Sequence, residues 1–262
     1  MSIVTKGVAI ITGAASGIGR AVAIRLARDG FSVSLNDLQT SKEKLDSVAD
    51  EISSVNGNVI SIVGDVSKEK DVQNIVNKTV KELGSLNVMV ANAGICLHNP
   101  LVELDTKAFD KTIDVNLKGV LYCYRYAASQ MIKQGKGGRI IGASSITGKQ
   151  GMADFPAYVA TKFAIRGLTQ SAALELGKYG ITVNAYAPGV IDTEMTTNTN
   201  AAIAKKTGMP LDALVKPLID MSAVKRIGNP EDIASLVSFI ASANSSFITG
   251  QTISSNGGVF FD

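Results

Sequence analysis

The chain has 262 residues, 45% of them hydrophobic and 19% charged, the balance of a folded globular protein, which excludes a disordered, fibrous or collagen-like chain. Lys plus Arg number 26 against 23 Asp plus Glu, a net +3, and the basic residues are scattered, so neither nucleic acid nor an anionic membrane is an expected partner. Two cysteines, Cys96 and Cys123, cannot build a disulfide framework, and a single histidine, His98, argues against a zinc site and a Ser/His/Asp triad. No charged-then-apolar leader and no apolar run of about 18 residues marks secretion or a membrane span. The expectation is a cytoplasmic, reducing compartment and no metal. His98, in a Cys-Leu-His-Asn-Pro loop, is expected at the surface or on a pocket rim.

In chain order, Val8 to Ile11 reads as a buried strand that runs directly into Thr12-Gly13-Ala14-Ala15-Ser16-Gly17-Ile18-Gly19 and a helix carrying Ala21, Ile24 and Leu26. Gly13 permits the tight turn, Gly17 lets backbone approach a pyrophosphate, and Gly19 lets helix pack on strand. The N–H groups at the helix start, around Ser16 and Ile18, are a candidate anion site. Phe31 to Leu35 reads as the second strand, ending at Asn36-Asp37. Asp37 lies 18 residues after Gly19, near the offset of about 20 at which an acid meets the ribose hydroxyls of a dinucleotide. A carboxylate there repels a 2′-phosphate, and neither Ser16 nor Leu38 supplies a compensating cation, so NAD(H) is expected over NADP(H).

Further strands are expected over Val59 to Val63, Leu86 to Ala91, Arg139 to Ala143 and Ile181 to Ala185, all apolar enough to be buried on both faces. Strands alternating with helical stretches imply right-handed crossovers and a doubly wound, Rossmann-type α/β fold, one parallel sheet with helices on both faces. No linker or repeat divides the chain, so residues 1–262 are expected to form one domain. Residues 190–225, with Met195, Met209 and Met221, read as a small helical lid. Asn229-Pro230-Glu231-Asp232 offers an N-cap, a first-turn proline and two acids ahead of a helix with Ile233, Leu236, Val237 and Ile240.

Three segments carry candidate chemistry. Tyr158 and Lys162, four residues apart on a helical stretch, share a helix face, so the ammonium can lie near the phenol and, with an oxidised nicotinamide, lower its pKa toward that of a useful base. Such a pair is common on surface helices, and its weight rests on its companions. The strand from Arg139 delivers Ser144 and Ser145 to the carboxyl edge of the sheet, where a hydroxyl can hold a reacting carbonyl oxygen; chemistry alone does not choose between them. Asn116 stands inside a helical stretch where Asn is a poor former, as a buried polar junction or relay would require.

Taken together, Thr12 to Gly19, Asp65-Val66, Asn92-Ala93-Gly94, Asn116, Ser145, Tyr158 and Lys162, Pro188-Gly189 with Thr193, and the helix start after Arg226 resemble the short-chain dehydrogenase/reductase family over essentially the whole chain. The resemblance implies Tyr158 as acid/base, Ser145 as substrate orienter, Lys162 as ribose anchor and Asn116 as holder of a proton relay. It places Asp65 and Val66 at the adenine, Asn92 and Gly94 along the cofactor cleft, and Ile191 and Thr193 at the nicotinamide carboxamide, with Pro188 and Gly189 in the same loop. It also implies a homotetramer built on the helices of residues 106–133 and 156–177. Two positions depart from the family pattern, Ala91 for a first Asn and Asn256 for an Asp.

The segments from Lys162 to Gln170 and Ile181 to Met195 are similar to acetoin/diacetyl reductases, the butanediol dehydrogenases. Those enzymes typically carry Gln after the catalytic Ser and often Asn six positions before the Tyr; here the residues are Ile146 and Met152. An apolar pocket of Ile146, Met152, Phe155 and Met195 suits a bulky or cyclic, terpenoid-like secondary alcohol or ketone. A catalytically silent NAD-binding regulatory protein is the reading from another class.

Overall fold

The structure, a computed structural model, describes residues 6–55 and 57–261. The chain runs β1 (Val8–Thr12), α1 (Gly17–Arg28), β2 (Ser32–Asp37), α2 (Lys42–Ser54), β3 (Val59–Val63), α3 (Glu69–Leu83), β4 (Val88–Ala91), α4 (Thr106–Ile113), α5 (Gly119–Gln134), β5 (Gly138–Ala143), α6 (Pro156–Leu176), β6 (Ile181–Pro188), α7 (Glu194–Thr207), α8 (Leu211–Met221), α9 (Pro230–Ala241) and β7 (Thr252–Ser255). The strands form one 7-stranded sheet in the order β3-β2-β1-β4-β5-β6-β7, parallel at every pairing. From β1 the chain winds outward through β2 and β3, then returns to β4 on the other side. The β1/β4 boundary is therefore the topological switch point, above which such sheets open a ligand crevice.

Alternation along each strand divides the core in two. Ala9 and Ile11 of β1, Val33 and Leu35 of β2, and Val88 and Val90 of β4 face α1, α2 and α9. Ile10 and Met89, with Ile140 of β5 and Val183 of β6, face α3, α5 and α6. The helices answer at helical spacing: Val72, Ile75, Val76 and Thr79 are the buried stripe of α3, which ends on Gly84 at φ +86°, a left-handed stop. The α9 start carries the expected cap, with the Asn229 N–H donating to Asp232 Oδ2 at 2.7 Å. Arg226 grips the same carboxylate and, with that N–H, holds it below its ordinary pKa range.

Three expectations need correction. Val59–Val63 is a strand but not a fully buried one, because β3 is a sheet edge and Val63 is 36% exposed. β7 has no counterpart in the expected elements. Its sequence, Thr-Ile-Ser-Ser, is half-buried and mostly polar. His98 is neither surface nor rim: its side chain is 9% exposed and stands edge-on to the Phe155 ring at 5.3 Å between centroids. The region of residues 190–225 does contain short helices, α7 and α8, and neither has a buried residue.

Candidate active site

The carboxyl ends of β1, β2, β4, β5 and β6 open onto a cleft of about 830 Å³. Its wall includes Gly13, Ser16, Gly17, Ile18, Gly19, Asp37, Asp65, Val66, Asn92, Gly94, Tyr158, Lys162, Pro188, Thr193 and Met195. The glycine turn is shaped for close approach. A Cβ on Gly19 would lie 2.0 Å from the Gly13 carbonyl oxygen, and Gly13 and Gly17 adopt φ of +66° and +52°. Ser16, at the N-cap of α1, makes no side-chain cap hydrogen bond, so the first-turn N–H groups face the cleft edge as an anion-binding set. Across the cleft, Asp37 accepts from the Ala15 N–H (3.0 Å) on Oδ2 and the Leu38 N–H (2.8 Å) on Oδ1, which fixes the carboxylate at the end of β2. A phosphate cradle beside a fixed carboxylate fits a dinucleotide.

Asn92 stitches this region together. Its Nδ2 donates to the Thr12 carbonyl (2.8 Å), and its Oδ1 accepts from the Tyr186 hydroxyl (2.8 Å). Thr12 Oγ1 in turn accepts from the N–H groups of Asn92 and Ala93. Sequence reasoning named Thr12 only as the start of the glycine turn, without this role, and gave Tyr186 none. Each is about 1% exposed in a buried strand, and a polar group so placed has to find a partner. Gly189 and Ile191 stand outside the cleft wall: Gly189 packs against the Asn256 backbone, and the Ile191 side chain belongs to the core. A ligand contact at position 191 falls to its backbone.

The catalytic candidates converge at the floor. Asn116 is fully buried within a single wide, π-helical turn, Asp114–Lys118, between α4 and α5. Its Oδ1 accepts from the Ile95 N–H and its Nδ2 donates to the Ile95 carbonyl, both at 2.8 Å. The extra residue of a π turn re-aims a side chain that a regular helix would misdirect, which explains an Asn at this place. Lys162, 4% exposed, donates from Nζ to the Ala143 carbonyl at 2.6 Å and lies 5.3 Å from the centre of the Tyr158 ring. Burial lowers its ammonium to about 8.

The two serines separate cleanly. Ser144 Oγ donates to the Lys162 carbonyl at 3.0 Å, whereas Ser145 accepts from the Thr147 N–H at 3.1 Å and hydrogen-bonds the Tyr158 hydroxyl. The phenol differs from the expectation. Burial, seconded by Cys96, pushes Tyr158 above its ordinary pKa, and the lowering influence is the Ser145 hydrogen bond rather than Lys162.

Of the pocket residues, Met195 lines the cleft and Ile146 is half-buried. Met152 is 47% exposed, while Phe155 is buried against His98. Phe155 is thus committed to packing the loop that starts α6, which limits the adaptable apolar area it can offer. Among the described residues, no group of three or more His, Cys, Asp or Glu could hold a metal, and no helix is long and apolar enough to cross a membrane.

A doubly wound sheet, a glycine-rich turn and a Ser-Tyr-Lys-Asn set on one carboxyl edge define a dinucleotide-binding oxidoreductase. The profile of the family described as Enoyl-(Acyl carrier protein) reductase matches residues 13–260. A short-chain dehydrogenase/reductase of Armillaria gallica is 50% identical over 97% of this chain and 96% of its own. The 3-oxoacyl-[acyl-carrier-protein] reductase FabG of Staphylococcus epidermidis is 39% identical over 96% and 98%. A short-chain type dehydrogenase/reductase from Mycobacterium marinum superposes with a TM-score of 0.88 at 33% identity, covering 97% and 96%. The chain belongs to the short-chain dehydrogenase/reductase family.

Proposed function

We propose that this protein is an NAD(H)-dependent oxidoreductase that interconverts a secondary alcohol and its ketone, with a bulky or cyclic apolar substrate preferred. The observation that carries the reading is Tyr158 held between Ser145 and Lys162 beside the cleft, with Asn116 clamping the Ile95 backbone nearby. In the reductive direction the Tyr158 phenol gives its proton to the carbonyl oxygen, which the Ser145 hydroxyl orients. A nicotinamide dinucleotide, held by the turn from Gly13 to Gly19, Asp37 and Lys162, would supply hydride-transfer chemistry at the carbonyl carbon. Lys162 holds a ribose hydroxyl and keeps positive charge beside the phenol. Asn116 holds the Ile95 backbone and the polar path behind Lys162.

The choice of NAD(H) rests on Asp37. The nearby cations support it, because Arg20 and Lys44, which line a cavity with Ala15, are each engaged by a carboxylate, Glu51 and Glu194. The pyrophosphate belongs on the turn from Gly13 to Gly19, the adenine between Asp65 and Val66, and the carboxamide at Thr193 and the Ile191 backbone. A homotetramer through α4–α5 and α6 is part of the proposal, supported by the apolar Phe163 and Leu174, 42% and 88% exposed on α6. The presence of all four catalytic candidates, with Ser145 and Lys162 both against Tyr158, counts against a silent regulatory protein.

The test is NADH oxidation with a monocyclic or bicyclic ketone, diacetyl and a 3-oxoacyl thioester, the last because of the likeness to FabG. The cyclic ketone is expected to show the highest kcat/KM. A tenfold preference for diacetyl, about 1.4 kcal/mol, restores the acetoin/diacetyl reductase reading. NADH binding without turnover of any carbonyl leaves the silent protein.

A further inference from the structure

The helix α7 has no buried residue, yet its first turn lies on the cofactor cleft. Glu194 and Met195 line that cleft, and Glu194 also walls a second cavity, of about 460 Å³, behind the glycine turn, with Ser16, Gly17, Arg20 and Glu231. Thr193, the N-cap of α7, accepts from the Thr196 N–H and stands so close to the turn that a Cβ on Gly17 would meet its Cγ2 at 3.2 Å. The start of α7 thus rests on the backbone where the pyrophosphate belongs. No buried side chain of its own holds it there.

Charge from segments distant in sequence ties it down instead. At its start, Lys44 Nζ of α2 donates to Glu194 Oε1 at 2.6 Å; near its end, Lys206 pairs with Glu103, in the segment that leads into α4. Lys44 lines a further cavity with Ala15, Arg20 and Ser47, between α1 and α2. The Lys44–Glu194 pair therefore joins α2 to α7 across residues 15–17, as a strap over the phosphate turn. Both side chains are more than half exposed, 58% and 60%, so the pair holds weakly. A strap of that strength opens often enough to pass a ligand, as the mobile elements over binding sites must.

We propose that Lys44 and Glu194 are a positioning pair that fastens α7 across the glycine turn and sets how fast a bound dinucleotide leaves. The inference rests on the NAD(H) reading of the cleft. It differs in sign from a direct action of either charge on the ligand. If Lys44 attracted the pyrophosphate and Glu194 repelled it, neutralising the first would speed release and neutralising the second would slow it. A strap, in contrast, loses its hold when either end goes.

The test compares wild type, Lys44→Met, Glu194→Gln and the double variant. NADH release is followed by NADH fluorescence after displacement with excess NAD+, and hydrogen exchange of residues 194–207 is measured in the free protein. Each single variant should release NADH about threefold faster, an ordinary effect for an exposed ion pair, and the double variant no faster than the single ones. Exchange in the first turn of α7 should quicken by a similar factor in all three. Release that is faster in Lys44→Met but slower in Glu194→Gln overturns the proposal in favour of direct charge effects. Unchanged release, unchanged exchange in both single variants, or an additive acceleration of about ninefold in the double variant overturns it as well. In each of those cases NADH binding by wild type leaves the parent reading standing, whereas a wild type that binds no NADH overturns both.

Discussion

Replacing Lys162 with Met should make the protein more stable while it destroys turnover, and the gain should disappear with rising pH. The ammonium is 4% exposed, and burial lowers it from 10.5 to about 8. At 1.36 kcal/mol per pKa unit that is about 3 kcal/mol of unfavourable charge burial. Below the folded-state value near 8 both states are protonated and the folded protein bears the whole penalty. Between about 8 and 10.5 the unfolded chain holds the extra proton, so wild-type stability rises with pH. Above that range both are neutral and the penalty is gone. Met fills the space without charge but leaves the Ala143 carbonyl without its 2.6 Å donor, a loss of about 1 kcal/mol. The variant should therefore be about 2 kcal/mol more stable at pH 7, and the difference should vanish and change sign by about pH 10.5. Urea unfolding at fixed protein concentration, followed by far-UV circular dichroism because the chain has no tryptophan, gives both numbers. A gap that stays constant from pH 7 to 10, or a variant less stable at pH 7, refutes the reasoning.

Tyr158→Phe removes the transferable proton while the ring keeps its packing, so kcat should fall at least about a hundredfold with NADH affinity, read by its fluorescence, nearly unchanged; activity near wild type removes Tyr158 from the chemistry. Asp37→Ser should raise kcat/KM with NADPH relative to NADH by about tenfold through lost repulsion. Equal efficiency with both cofactors in the unmodified enzyme contradicts the role of this carboxylate. Light scattering at micromolar concentration should give four times the 27.4 kDa chain mass, and a monomer removes the proposed assembly.

The sheet was legible where burial on both faces left uninterrupted apolar runs, as in Val8–Ile11 and Val88–Ala91, and illegible where an edge relaxed that demand, as in Thr252–Ser255. Asn116 stood out because the residue disagrees with its helix, and the π turn supplies the geometry behind the disagreement. Tyr186 left no such mark, since it shares its strand with Thr182 and Asn184 and breaks no period. Ser144 and Ser145 are chemically equivalent on paper. Only the turn after β5, which sends one hydroxyl toward the Lys162 carbonyl and the other toward Tyr158, separates them. Phe155 looked like pocket surface because nothing local in the sequence reveals that His98, over fifty residues earlier, occupies its ring edge.

The pairing of Tyr158 with Lys162 gains its meaning from opposite shifts in one buried place. Burial raises the phenol and lowers the ammonium, since desolvation disfavours whichever form is charged. At neutral pH the free site consequently holds a protonated phenol and an ammonium close to losing its proton. That state can donate to a carbonyl oxygen without further adjustment, as ketone reduction requires. Alcohol oxidation asks the same phenol to surrender its proton first, which the surrounding protein opposes. Lys162 stands over the ring but spends its hydrogen bond on Ala143, so it offers charge without a proton-sharing contact to the phenol. On the proposed reading, the positive charge of an oxidised nicotinamide would supply the missing contribution, and the phenol would release its proton only when that charge is beside it. On that reading, deprotonation of Tyr158 would be tied to the oxidised form of the cofactor, linking acid/base state to redox state within a single helix face.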